Sequence, residues 1–303
     1  MVVPGPVLSF DRAFDQQTGV PVMVAEGISR ITAPNASAYT FTGTNSFLLG
    51  HERLALVDPG PDDAAHIAAL KRAIAGRPVD AIIVSHTHRD HSAAAAQLRR
   101  ELDAPLWFGG PHRLSRPLRR FERNPIRKSC DWYLVPDRTL LDGESVAAGD
   151  LSITVHTTPG HCANHLAFST GDILLSGDHV MGWNSTLVSV PDGSMADYFA
   201  SLDKVIALPQ RRYVPAHGGP VADGPDYARA LRAHRQLRNR QVLEAAEAGA
   251  KTISAIVARI YPKQSLPVRF AAAMTINAHV EYLEALGKLK VRRSLLGMRI
   301  FAM

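Results

Sequence analysis

The chain has 303 residues, 46% hydrophobic and 20% charged, enough to bury a large core, which excludes a disordered or fibrous protein. Its formal charge of +6 favours anionic partners without naming one, and two cysteines, Cys130 and Cys162, are too few for a disulfide framework. The first nineteen positions lack the basic start and apolar core of a secretory signal, and no apolar run is long enough to span a bilayer, so a cytoplasmic protein without a membrane partner is expected.

Short β-rich runs at 22–25, 46–50 and 54–57 are separated by Gly, Asn and Pro, the pattern of hairpin-linked strands. Ile67, Leu70 and Ile74 then recur at helical spacing, which predicts a helix over 62–75. A continuous apolar strand, 81–84, runs straight into Ser85 and His86, and the alanine-rich stretch 92–102 predicts the next helix. A cluster of histidines therefore occupies a strand-to-helix loop. Between 109 and 134 the pattern breaks into a basic segment holding Arg113, Arg116, Arg119, Arg120, Arg123, Arg127 and Lys128. It reads either as a solvated surface or as a lid facing a substrate.

The second half repeats the scheme with strands at 151–156, 166–169, 173–175 and 213–215 and a helix over 196–208. Two sheets flanked by helices fit this alternation. After His217 the composition changes, with helices predicted at 226–248, 253–261 and 268–286. Ala273, Ile276, Val280, Leu283 and Leu286 form the buried stripe of the last. Two β-like runs, 288–291 and 298–302, follow with a turn at 295–297. Three helices and a hairpin describe a winged-helix module, which divides the chain into 1–222 and 223–303.

His86-Thr87-His88-Arg89-Asp90-His91 holds four ligand-type residues within six positions. His86 and His88 lie two apart at a strand end, so both project to one side and can grip one metal ion. Asp90 and His91, on the following turn, point elsewhere and invite a second ion. Imidazole nitrogen and carboxylate oxygen suit zinc, manganese and iron alike.

This run resembles the H-x-H-x-D-H motif of the metallo-β-lactamase superfamily. Asp58-Pro59-Gly60 is similar to that family's first motif, His161 in Thr158-Pro159-Gly160-His161 to its third, Asp178 in Ser176-Gly177-Asp178 to its fourth, and His217 in Pro215-Ala216-His217-Gly218 to its fifth. The resemblance implies an α+β fold, an αβ/βα four-layer sandwich with the winged helix appended. It implies that His86, His88 and His161 bind one divalent metal ion and Asp90, His91 and His217 a second, with Asp178 bridging them; zinc is the first expectation. It further implies a hydrolase whose nucleophile is a hydroxide shared by the two ions.

Asp58 has no implied ligand role and is expected to support the loop by hydrogen bonds. Cys162 reads as a buried small residue. His165, four positions after His161, either donates a hydrogen bond to substrate or leaving group or supports the ligands; with Asp90 it is carried as a catalytic candidate. Trp183 and Asn184 are candidate pocket-wall residues.

A metal site names a reaction class and not a substrate. The tail resembles that of superfamily members with a C-terminal winged helix, some of which are endoribonucleases. Arg229, Arg232, Arg235 and Arg238 recur every third residue and could meet phosphates; alternatively they pair with carboxylates of the main domain. An anionic or ester substrate is expected, single-stranded RNA first among the choices. A thioesterase or other small-ester or lactone hydrolase, with room for weak promiscuous β-lactamase activity, is the alternative, a non-catalytic nucleic-acid-binding protein with structural metals a third reading, and a homodimer is compatible with the tail.

Overall fold

The computed structural model describes residues 8–294 and 297–303. Its first sheet has seven strands in sequence order: β1 (Val22–Ala25), β2 (Ile28–Thr32), β3 (Asn45–Leu49), β4 (Leu54–Val57), β5 (Val79–Val84), β6 (Leu106–Phe108) and β7 (Arg138–Thr139). The first four pair antiparallel and β4 to β7 run parallel. Three helices cross between the parallel strands: α1 (Ala64–Ile74), a single turn α2 (Arg89–Ser92), and α3 (Ala95–Leu102). Asp63 starts α1 by accepting from His66 N at 2.8 Å, the usual remedy for an orphan amide at a helix start.

The second sheet contains β8 (Ser145–Ala148), β9 (Leu151–Thr157), β10 (Leu166–Thr170), β11 (Ile173–Gly177) and β12 (Arg212–Pro215), ordered β12-β11-β10-β9-β8. Helix α4 (Met195–Ala207) connects β11 to its parallel neighbour β12. Strand periodicity sorts the core into layers. Leu48, Leu56, Ile82 and Val84 face outward onto Ile67, Leu70 and Leu98 of the helices. Their neighbours Phe47, Leu49, Val57 and Ile83 face inward onto Ile153, Val155, Phe168 and Leu175 of the second sheet. On the far side Leu174 and Tyr213 pack against Tyr198, Leu202 and Val205 of α4. Helices, sheet, sheet and helices make four layers.

Helix α5 (Gly224–Glu247) is followed by α6 (Ile253–Ile260), α7 (Leu266–Ala285) and a hairpin of β13 (Leu289–Ser294) and β14 (Gly297–Ala302). The first half of α5 packs through Ala228 and Leu231 on the outer face of the second sheet. Its second half shares another core, through Val242 and Ala245, with Ile256, Ile276, Val280, Leu289 and Ile300. One continuous helix thus belongs to both cores. Positions 295 and 296 of the expected turn lie outside the described residues. Among the described residues no helix is long and apolar enough to cross a membrane.

Candidate metal centre

Every residue of the histidine and carboxylate cluster stands just past a strand, at one edge where the two sheets meet. β4 delivers Asp58, β5 delivers Ser85 to His91, the β9–β10 loop delivers His161, and β11 and β12 deliver Asp178 and His217. The edge is tied across the sheets: Asn45 N donates to Ala216 O at 2.7 Å, and Leu166 N donates to Ser85 O at 2.7 Å. All seven expected ligands come together there.

The geometry fixes which ring nitrogens carry protons. Asp58 is buried and accepts from Ser85 N at 2.6 Å, Ser85 Oγ at 2.7 Å and His91 Nδ1 at 3.1 Å. With its proton spent on Asp58, Ser85 Oγ accepts from His86 Nδ1 at 3.0 Å. His161 Nδ1 donates to Leu187 O at 2.6 Å, His217 Nδ1 to Gly43 O at 3.2 Å, and His88 Nε2 to Asp192 Oδ2 at 2.9 Å. In the neutral rings each inner nitrogen is then a bare lone pair. His88 Nδ1 lies 3.1 Å from His86 Nε2 and 2.8 Å from His161 Nε2, three acceptors converging with no donor among them.

A second group converges beside the first. Asp90 Oδ2 lies 3.3 Å from His217 Nε2 and 3.4 Å from His91 Nε2. Asp178 divides its oxygens: Oδ1 is 3.3 Å from His217 Nε2 and 3.6 Å from His91 Nε2, whereas Oδ2 is 3.6 Å from His161 Nε2. His91 Nε2 and Asp178 Oδ1 are buried without a hydrogen-bond partner, which a native fold rarely tolerates. The donor set therefore fits two cations sharing one carboxylate.

The charge balance of the cluster agrees. Burial opposes a charge on His91, but Asp90 and Asp178 outweigh it and hold the ring well above its ordinary value. Burial likewise opposes a charge on His217, yet Asp178 and Asp90 bring it up to about 9. Around His161, burial and then His88 lower the ring to about 4. The carboxylate side draws protons that a cation would displace.

His165, carried from the sequence as a catalytic candidate, has both nitrogens engaged inside the protein. Its Nδ1 donates to Thr158 Oγ1 at 2.8 Å and its Nε2 accepts from Asp178 N at 3.0 Å. The ring is buried behind the ligands, so it braces the Asp178 loop and has no free nitrogen for a substrate. Asp90, by contrast, lines the cavity and has the most exposed side chain of the seven, at 28%. Cys162 is fully buried.

Residues that no motif announced complete the support. Asp192, also fully buried, accepts from His88 on one oxygen and from His112 Nε2 at 2.9 Å on the other. His112 Nδ1 accepts from Thr87 Oγ1 at 2.8 Å, and Thr87 Oγ1 accepts from Asn164 Nδ2 at 2.8 Å. The chain of bonds runs unbroken from the β9–β10 loop to His88.

The cluster opens into a cavity of about 630 Å³. It is lined by His88, Asp90, His161 and Asp178, by Trp183 and Asn184, and by Tyr261 and, from α7, Phe270, Met274 and Thr275. The basic segment contributes Ile126 and Lys128 to its wall. The segment's Arg116 and Arg119 are paired with Glu281 of α7, and Arg116 also with Glu122.

The model of the metallo-beta-lactamase superfamily matches residues 39–217. A beta-lactamase-like protein 2 homolog of Drosophila melanogaster is 26% identical over 293 residues, covering 89% of this chain and 92% of that one. An atrochrysone carboxyl ACP thioesterase of Aspergillus chevalieri is 26% identical over 226 residues, 72% of this chain and 65% of that one. The crystal structure of a metallo-beta-lactamase family protein from Thermus thermophilus superposes with a TM-score of 0.75 at 26% identity, covering 93% of this chain and all of that one. With the match extending over more than half of its length and spanning the whole cluster, the chain belongs to the metallo-beta-lactamase superfamily.

Proposed function

We propose that this chain is a dinuclear metal-dependent hydrolase of an ester or thioester whose acyl part lies along the apolar wall provided by α7. His86, His88 and His161 would hold one divalent ion, Asp90, His91 and His217 the other, and Asp178 would contribute an oxygen to each. Zinc suits this nitrogen-rich set, with manganese and iron served by the same ligands. When bound, such ions polarise the scissile carbonyl and make water acidic enough to attack at neutral pH.

The chain's own residues orient and exclude. Ser85, Leu187, Asp192, Asp58 and Gly43 fix the five imidazoles with their lone pairs inward. Burial pushes the Asp90 carboxyl up, but His91 and His217 outweigh it and keep Asp90 ionised, so it faces the cavity as an anion that can share in holding a cation. The apolar wall displaces water from the acyl chain, which concentrates binding on substrates that bury apolar area.

The observation that carries the choice of ester over RNA is the state of the arginines. Arg229 is paired with Asp226, Arg232 with Asp203, and Arg116 and Arg119 with Glu281. A cation neutralised inside the chain releases few counterions on meeting a phosphate backbone. The relative named as a thioesterase supports the same reading. In this reading the segment 223–303 is a winged-helix-like module that walls the active site.

A side-by-side assay of a medium-chain acyl thioester, a labelled single-stranded RNA and nitrocefin, at matched metal loading, tests the proposal. Thioester turnover abolished in His88→Ala and Asp178→Asn is the expected result. RNA cleavage without thioester turnover would overturn it.

A further inference from the structure

Arg235 is 2% exposed yet lines the cavity. One of its terminal nitrogens donates to Thr186 O, and its guanidinium lies 5.4 Å over the Tyr198 ring. Its Nε is buried without a partner. His234, the preceding residue, also lines the cavity, and its Nδ1 is buried without a partner too. One turn further along α5, Arg238 sits 4.6 Å over the Tyr261 ring and donates to Gln241 Oε1 at 2.6 Å. His279 Nδ1 of α7 donates to Asn239 Oδ1, 2.6 Å away, while its Nε2 has no partner.

Among the described residues, no carboxylate lies within salt-bridge distance of any of these four. Burial lowers His234 to about 4, and the neighbours that add to the effect are Arg235 and Arg238, both cations. A guanidinium removed from water without a counter-charge is costly, and folds normally supply an acid beside it. Here the acids go to the exposed arginines of the same helix, Arg229 and Arg232. The cavity wall at Arg235 is left with unbalanced positive charge and with Arg235 Nε and His234 Nδ1 unpartnered.

We propose that Arg235 and His234, in the field of Arg238, form an anion-binding subsite for a carboxylate or phosphate carried by the substrate. The ligand class is then a molecule with three parts: an acyl carbonyl at the dinuclear site, an apolar portion against Phe270 and Met274, and an oxyanion at Arg235. This deepens the hydrolase reading and rests on it for the identity of the carbonyl end. A planar fork of donors matches either oxyanion, so the end group is what the experiment separates.

The test uses the full-length metal-loaded protein and three amide analogues of one acyl chain, ending in a carboxylate, a phosphate or a neutral carboxamide, with affinity read by calorimetry. Thioesters with the same three ends are assayed in parallel. The anionic amides should bind about tenfold tighter or more than the carboxamide, a ratio that corresponds to one charge-assisted hydrogen bond. That ratio should fall toward unity in Arg235→Met and in His234→Gln, and be partly kept in Arg235→Lys. Because the readout is a ratio within one protein sample, a folding loss in Arg235→Met does not imitate it, and His234→Gln leaves the Thr186 contact in place. Equal binding of charged and neutral amides, with thioester turnover intact, overturns the subsite alone. An anionic preference that survives both variants also overturns it, since the metal ligands then supply the attraction. Absence of turnover for every thioester overturns the hydrolase reading, while a preference lost in the variants still supports the subsite.

Discussion

Exchanging Asp192 for asparagine preserves the shape of a fully buried side chain and removes its charge. In the native chain Oδ2 accepts from His88 Nε2 at 2.9 Å, while Oδ1 accepts from His112 Nε2 at 2.9 Å and Asn124 Nδ2 at 3.3 Å. Burial pushes the carboxyl up, but His112 and His88 outweigh it and hold Asp192 below the usual carboxylate range, so it only accepts. A carboxamide must turn its NH₂ toward one of these donors. Losing the charge-assisted bond costs about 1.5–3 kcal/mol, and a donor left facing a donor costs roughly 1–3 kcal/mol more.

His88 can escape that clash by moving its proton to Nδ1, and the consequence is specific. Nδ1 is the atom 3.1 Å from His86 Nε2 and 2.8 Å from His161 Nε2. A proton there occupies the lone pair proposed to bind metal. Metal affinity in Asp192→Asn should therefore fall by about 10–100-fold, measured by competition with a chromophoric chelator. Urea unfolding of the chelated protein should show a loss of roughly 3–5 kcal/mol. Native-like metal affinity in a destabilised Asp192→Asn would refute the tautomer argument and leave Asp192 a packing residue only.

Two further outcomes follow from the surroundings of the site. Gly160, at φ +141° beside His161, has no room for a side chain, because a Cβ would stand 2.5 Å from Tyr198 Cα. Gly160→Ala should cost at least about 2 kcal/mol in calorimetric stability and displace the His161 loop; an unchanged melting temperature would show that this close approach is not rigid. Burial lowers His66 to about 4, and its Nε2 is bonded to Ser46 Oγ at 2.8 Å. An unfolded histidine titrates near 6.5, so the unfolded state binds the proton first. The contribution of His66 is thus fully present above about pH 6.5 and is lost as pH falls toward 4, to the extent of about 3 kcal/mol. His66→Gln should flatten that part of the profile in urea midpoints taken from pH 4 to 7, and an unaltered slope would assign the acid loss to other groups.

How far this was legible in the sequence depended on whether a residue's role is set locally. Leu54–Val57 and the stretch 81–84 of Val79–Val84 are continuous apolar runs because both faces are buried, and they announce themselves. Ile28–Thr32, Leu106–Phe108, Arg138–Thr139 and Ser145–Ala148 do not. The first carries the buried Arg30, whose guanidinium is satisfied by Thr32 Oγ1 at 2.9 Å, and the third is two exposed residues paired to β6. Their pairing is decided by partners, not by pattern. The ligands were legible because each follows a strand end within a short motif. Asp192 was not, since 104 positions separate it from His88, and Pro191-Asp192-Gly193 reads locally as an ordinary turn.

The arginines of α5 show why spacing alone left their use open between phosphates and carboxylate partners. Steps of three residues advance 300° around a helix, so each successive arginine is turned about 60° from the last. Over Arg229, Arg232, Arg235 and Arg238 the row sweeps through about half a circle. It begins exposed at Arg229 and is buried by Arg235. The row is therefore two surfaces. Its outer half meets Asp226 and Asp203, whereas Arg235 of the inner half lines the cavity shared with the metal ligands and keeps an unpartnered Nε. The same rotation that pairs the outer arginines with acids brings Arg235 to the cavity wall, which is the case for a small anion held there.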